Sequence, residues 1–185
     1  MDDDQLKWRE IGREAAFKTK IFTVTNRTCV SPQGGNETFT VIETNDWVVV
    51  VPELEDGKAF YMVRQWRHGA GEMSLEFPGG VIETGETALD GAERELREET
   101  GCVAGKMTKL GVMSPNPAIM ANRVHFFLAE DLRVDGDLRP DKDEFITAER
   151  VDAGEVTRGA GAPPYIHSLM ATALCLYNRL KQRTA

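Results

Sequence analysis

Residues 79–102, GGVIETGETALDGAERELREETGC, decide how the rest of the chain is read. The stretch opens on a Gly-Gly pair directly after Phe77-Pro78, crosses a loop holding Gly85 and Glu86, and enters a segment dense in carboxylates. From Ala88 to Thr100 there is no proline and no β-branched run, and Gly101 supplies a stop, so the pattern predicts a helix. On that helix Glu99 lies about 40° round from Glu95, and Glu98 about 60° round on the other side. Three carboxylates crowd one narrow face, with Arg94 beside them.

Charge runs on helices are usually solvated surface. Such a surface alternates its signs at i,i+4, as Glu93 and Arg97 do, whereas Glu95 and Glu99 are a like-charge pair costing roughly 0.2–0.5 kcal/mol unless something neutralises it. Clustered carboxylate oxygens are what a hard divalent cation requires. The spacing runs Gly80, five residues, Glu86, seven residues, Arg94-Glu95-Leu96, one residue, Glu98-Glu99, one residue, Gly101 and the apolar Cys102. It resembles the Nudix box at every fixed position. The resemblance implies an α/β fold, the Nudix α/β/α sandwich on a mixed sheet, with the box as loop-helix-loop. It also implies hydrolysis of a nucleoside diphosphate linked to another group. Mg2+, for which Mn2+ can substitute, would be held by Glu95, Glu98, Glu99 and the backbone carbonyl of Gly79. Glu86 is better placed to orient Arg94 or the metal shell than to attack. The box alone does not name the substrate.

A chain of 185 residues with 41% hydrophobic content suits one globular domain with a sizeable core and a small appended piece. The net charge of -8 argues against a nucleic-acid partner, because such binding rests on Lys and Arg neutralising phosphates. It is no obstacle to an anionic small substrate when bound cations supply the local charge. Cys29, Cys102 and Cys175 are widely spaced with no metal-ligand rhythm and read as buried thiols in a reducing compartment. The acidic start lacks an apolar signal core, and no apolar run reaches membrane-spanning length, so the expectation is a cytoplasmic protein without a membrane partner.

Upstream of the box, residues 1–15 are polar and read as a frayed turn or short helix anchored by Trp8 and Ile11. Ile21-Phe22-Thr23-Val24-Thr25 and residues 38–43 read as an antiparallel β-hairpin across Ser31-Pro32-Gln33-Gly34-Gly35-Asn36. A two-stranded ribbon is marginal alone, so residues 1–44 are expected to be a dimerisation element and residues 45–185 the Nudix domain. Trp47-Val48-Val49-Val50-Val51 reads as a strand buried on both faces, and residues 59–67 as its return after an Asp56-Gly57 turn. On that return strand Phe60, Met62 and Arg64 share one face, and Tyr61, Val63, Gln65 and Arg67 the other.

Arg64-Gln65-Trp66-Arg67 followed by Leu75-Glu76-Phe77-Pro78-Gly79-Gly80 resembles the ADP-ribose pyrophosphatase branch of the family. That resemblance implies Arg67 as a phosphate contact, with Glu76 facing the site. It places the N-terminal ribbon against a second subunit of a homodimer, with Phe22 and Phe39 either holding the base or serving as plain core residues. Pro117, in the loop between strands at residues 107–113 and 123–129, fits the branch's downstream proline. Residues 130–144 read as a solvated acidic loop leading into a strand at Phe145-Ile146-Thr147. Related enzymes carry a general base or further metal ligand on such a loop, and Glu144 matches best, then Asp143, with Glu98 the next candidate. Residues 159–164 read as a Gly/Pro linker before a final helix with an apolar stripe from Ile166 to Leu180. His68, His125 and His167 show no ligand or triad spacing and read as structural.

The expected substrate is ADP-ribose or a related nucleoside diphosphate sugar. Rival readings are another Nudix specificity, such as dinucleoside polyphosphates or a nucleoside triphosphate, and a non-catalytic ADP-ribose sensor. The intact box and the lack of a basic helix-turn-helix argue against the sensor.

Overall fold

The computed structural model of the chain describes residues 3–139 and 145–184. Backbone contacts divide it into two compact units, Met1–Asn45 with Ser114–Arg123, and Asp46–Met113 with Val124–Ala185.

In the first unit, β1 (Arg9–Lys18), β2 (Thr23–Val30) and β3 (Asn36–Glu43) form an antiparallel sheet in that order. The expected antiparallel hairpin is present as β2 and β3, with β1 added as a third strand in place of an expected turn or helix over residues 9–15, while Asp3–Leu6 does form a short 3-10 helix. β1 has no apolar alternation and joins the sheet through its backbone ladder to β2. Register sets Arg13 opposite Arg27, a repulsive pair, and Glu43 Oε1 accepts from both, at 2.9 Å and 2.6 Å. Context of this kind overrides strand propensity. β2 begins later than expected, because Phe22 sits in a turn in which Thr19 Oγ1 accepts the Phe22 amide at 2.9 Å. Within the same unit the loop Ser114–Arg123 docks on β3, where Ile42 N–H donates to Ile119 O at 2.7 Å and Ile42 O accepts from Ala121 N–H at 3.0 Å.

The second unit carries β4 (Trp47–Leu54), β5 (Ala59–Arg67), β6 (Glu72–Glu76), α1 (Ala88–Thr100), β7 (Cys102–Val103), β8 (Lys106–Met113), β9 (Val124–Glu130), β10 (Arg133–Val134), β11 (Thr147–Asp152), α2 (Ala153–Gly159) and α3 (Ser168–Thr184). Its sheet runs β11-β5-β4-β9-β8, with β6 also on β5. β4 and β9 pair in parallel and the other neighbours are antiparallel. β7 and β10 form a separate small ladder. β11 starts at Thr147, later than expected, and Phe145 before it is exposed.

The uninterrupted valine run of β4 is explained by helices on both faces. Val49 and Val51 pack with Phe126 and Leu128 against Met170, Ala173, Leu174 and Tyr177 of α3. Val48 and Val50 pack with Phe127 and Ala129 against Ala92 and Leu96 of α1. The period-2 alternation of the strand thus feeds two cores, each fully buried Val or Leu contributing about 1.5–3 kcal/mol. No helix among the described residues is long and apolar enough to cross a membrane.

Candidate active site

Local signals set α1 in place. Thr87 and Asp90 form a reciprocal capping box at its start, and Gly101 closes it in the left-handed region at φ 69°, with its N–H donating to Arg97 O. Ala92 and Leu96 face the sheet, which directs Glu95, Glu98 and Glu99 along the flank of the helix.

What they meet is the connection from β6. After Glu76 the chain leaves β5 and crosses to the edge of β4, where Val50 N–H donates to Pro78 O and Val48 N–H to Gly80 O, each at 2.9 Å. A Cβ on Gly79 would lie 2.2 Å from Val48 O, so only glycine passes that close to the β4 backbone. Freed of a side chain, Gly79 donates its N–H to Glu99 Oε2 at 2.8 Å, and Glu99 is only 2% exposed. At Gly80 a Cβ would lie 2.2 Å from Glu95 Oε1. Two of the three box carboxylates therefore converge on the Gly-Gly turn.

Arg94 ties the cluster together. It bonds Glu86 through two nitrogens at 2.9 Å and 3.2 Å, Glu95 at 2.9 Å, Glu98 at 3.0 Å and the Val81 carbonyl at 2.9 Å. These bonds, chiefly those to Glu86, hold the guanidinium further above its ordinary pKa, and the Arg94 hydrogen bond holds the Glu86 carboxyl below its own. Arg97 pairs with Asp135 at 2.6 Å. Arg94, Arg97 and Glu98 also line a cleft of about 450 Å³, together with Asp135 and Arg139.

The donor set fits a divalent cation by its chemistry, since the converging groups are hard carboxylate oxygens with no soft ligand among them. Arg94 bridges Glu95 and Glu98 as they stand, and among the described residues no three acidic, His or Cys side chains are gathered at ligand spacing. Gly79 meets Glu99 through its amide.

A second cluster lies on β5 and β6. Register pairs Val63 with Glu76 and Arg67 with Glu72, so Val63, Gln65, Arg67 and Glu76 share a face. Glu76 is fully buried, ion-paired through Oε1 to Arg67 Nη2 and through Oε2 to His167 Nδ1 at 2.8 Å, with Ser74 Oγ donating to Oε2 at 3.2 Å. Burial acts to raise its pKa. The His167 bond, and the charges of His167 and Arg67, more than offset this and hold the carboxyl below its ordinary value.

Phe22, Phe39 and Pro117 belong to the first unit, where Phe39 meets Trp8 edge-on with ring centroids 5.1 Å apart. Glu144 and Asp143 lie outside the described residues. Of the histidines read as structural, His68 is exposed and His125 Nε2 is 3.0 Å from Asp46 Oδ2, whereas His167 reaches Glu76, a contact no local pattern announces.

The family described as NUDIX domain matches residues 44–171. An ADP-ribose pyrophosphatase of Bacillus subtilis (strain 168) is 33% identical over 147 residues, 79% of each chain. The ADP compounds hydrolase NudE of Escherichia coli (strain K12) is 28% identical over 121 residues, 64% of each chain. A crystal structure of an ADP compounds hydrolase superposes with a TM-score of 0.85 at 23% identity, covering 97% of this chain and 96% of the other.

Proposed function

From a chain that belongs to the Nudix family, with the divalent-metal requirement general to that family, we propose hydrolysis of the diphosphate bond of ADP-ribose or a related nucleoside diphosphate sugar. The products are a nucleoside monophosphate and a sugar phosphate. The observation that carries the reading is the convergence of Glu99 on the Gly79 amide and of Glu95 on Gly80, at the turn where β6 crosses to β4. The names of the relatives supply the substrate class.

Glu95, Glu98 and Glu99, with the Gly79 carbonyl, would hold Mg2+ or Mn2+. Such an ion supplies charge neutralisation of the diphosphate and an acidified water. Arg94 neutralises the carboxylates of the box, and Glu86 orients Arg94 through a two-pronged contact. Arg67 binds a phosphate group, for which its guanidinium has the right fork and an ion-paired anchor in Glu76. Glu144, or failing it Asp143, takes the proton from the attacking water, because a carboxylate engaged by metal is a poor proton acceptor. Glu98 is the next candidate, in a form of the site where Glu95 and Glu99 alone supply the metal carboxylates.

The first unit exposes Ile11, Phe17, Ile21 and Phe39, more apolar surface than a solvated sheet needs, which supports a homodimer through this sheet; Phe22 and Phe39 are proposed as base contacts on the family resemblance alone. A monomer by sedimentation at micromolar concentration counts against the dimer. Pro117 is proposed to shape the substrate loop.

A panel of nucleoside diphosphate sugars, dinucleoside polyphosphates and nucleoside triphosphates, followed by phosphate release after phosphatase coupling, tests the assignment. Turnover of a nucleoside diphosphate sugar is expected. Turnover confined to the other two classes overturns it.

A further inference from the structure

We infer that His167 is a positioning residue for phosphate recognition, acting through Glu76 on Arg67. The inference rests on the reading of Arg67 as a phosphate contact given above.

Arg67 is the part of the cluster that faces solvent, its side chain 39% exposed, while Glu76 behind it is fully enclosed. Neither the Arg67 Nε nor Glu76 Oε1 has a partner of hydrogen-bond geometry among the described residues, so the guanidinium is drawn to Glu76 by the charge contact between Nη2 and Oε1. Its position therefore follows Glu76 Oε1, which moves with the plane of the carboxylate. Rotation about the last torsion of a glutamate is broad, so that plane is set by whatever holds the other oxygen. Two groups do so, the Ser74 hydroxyl at 3.2 Å and His167 Nδ1 at 2.8 Å. The hydroxyl is the longer contact, on a group that rotates freely. The imidazole is the shorter one, on a ring with fixed donor direction. An ionised carboxylate only accepts, so Nδ1 carries the proton of this bond.

The fold delivers His167 by a route independent of the strands that carry Arg67 and Glu76. Leu75 N–H donates to Pro164 O at 2.9 Å, which lays the segment before α3 along β6, and His167 immediately precedes the helix. The other end of the Glu76 segment is equally constrained. Gly79, three residues on, is bonded to Glu99, and three residues span at most about 11 Å. His167 thus braces the strand end that carries both the phosphate arginine's anchor and the box turn.

The test is steady-state kinetics of the full chain on ADP-ribose with Mg2+, for Arg67→Ala, His167→Ala, His167→Asn, His167→Gln and the Arg67→Ala/His167→Ala double variant, with thermal melts to establish folding. Arg67→Ala is expected to lower kcat/KM at least tenfold. His167→Ala should lower it about tenfold with the same division between kcat and KM, and should add less than twofold in the Arg67→Ala background. Asn sets an amide nitrogen where Nδ1 was and should stay within about threefold of wild type. Gln reaches too far and should resemble Ala. If His167→Ala does not fold, the Asn and Gln variants decide by the same contrast. A folded His167→Ala or His167→Gln with unchanged kcat/KM overturns the inference, as does an undiminished His167 effect in the Arg67→Ala background. An unchanged Arg67→Ala overturns the Arg67 reading itself, and that variant alone tells the two failures apart.

Discussion

Glu99 Oε2 accepts the Gly79 amide at 2.8 Å, fastening the carboxylate face of α1 to the turn that follows β6. The bond acts beside the Arg94 contact to the Val81 carbonyl, and Glu99 is almost entirely out of solvent. A carboxylate so placed is oriented before any ligand arrives.

Replacing Glu99 with Gln retains a carbonyl oxygen for the Gly79 amide and removes the charge. The fold should survive, with kcat at least tenfold lower, a barrier increase of roughly 1.4 kcal/mol or more. A normal kcat in the purified variant would mean that Glu99 is structural.

The two glycines of the turn should fail in different ways. A methyl group at Gly79 meets the β4 backbone at Val48, which cannot yield cheaply, so Gly79→Ala should cost about 1–3 kcal/mol and lower Tm by several degrees. At Gly80 the obstacle is the far end of the Glu95 side chain, which can swing away. Gly80→Ala should therefore melt close to wild type while losing at least tenfold in kcat. Thermal melts and rates on both proteins check the contrast, and equal melting points would contradict it.

Glu76 gives a pH-dependent stability of defined sign. Its folded pKa is depressed, so its contribution is complete above the unfolded value of about 4.3 and is lost as pH falls through the folded value. Glu76→Gln leaves Arg67 and His167 facing an amide and should cost about 3–5 kcal/mol at pH 7. Denaturant midpoints from pH 7 to pH 3 should show the gap between the two proteins narrowing below about pH 4.3. A gap that widens below about pH 4.3 would refute the assignment.

The proton acceptor is proposed to be Glu144. Glu144→Gln should lower kcat by roughly 10²-fold with KM nearly unchanged. Loss in Asp143→Asn with Glu144→Gln active transfers the role to Asp143, and full activity in both points to Glu98.

How much of this could be read from the chain alone depended on whether the determining contacts were local. The helix at Ala88–Thr100 was legible to its ends, because Thr87, Asp90 and Gly101 cap it within a turn. So was β4, since a run of valines asks for apolar cover on both faces. β1 was not, because a polar segment without apolar alternation becomes a strand through its pairing with β2, where Glu43 also bridges the facing Arg13 and Arg27. α2 is a helix of 7 residues capped by Asp152, too short to leave a periodic pattern. At the site, Arg67 and Glu76 could each be named, but their pairing follows from the β5–β6 register. His167 reads as structural from sequence, and its contact with Glu76 has no spacing to signal it because that partner lies on a strand far away in the chain.

The most direct test of metal-dependent diphosphate hydrolysis is to resolve the products formed from ADP-ribose, GDP-mannose and ADP-glucose with Mg2+, with excess EDTA, and after Mg2+ is restored. At least one sugar nucleotide should yield its nucleoside monophosphate and sugar phosphate in equal amounts, with formation stopped by EDTA and recovered on adding Mg2+. All three left intact with Mg2+ present, or cleavage continuing in EDTA, would contradict it.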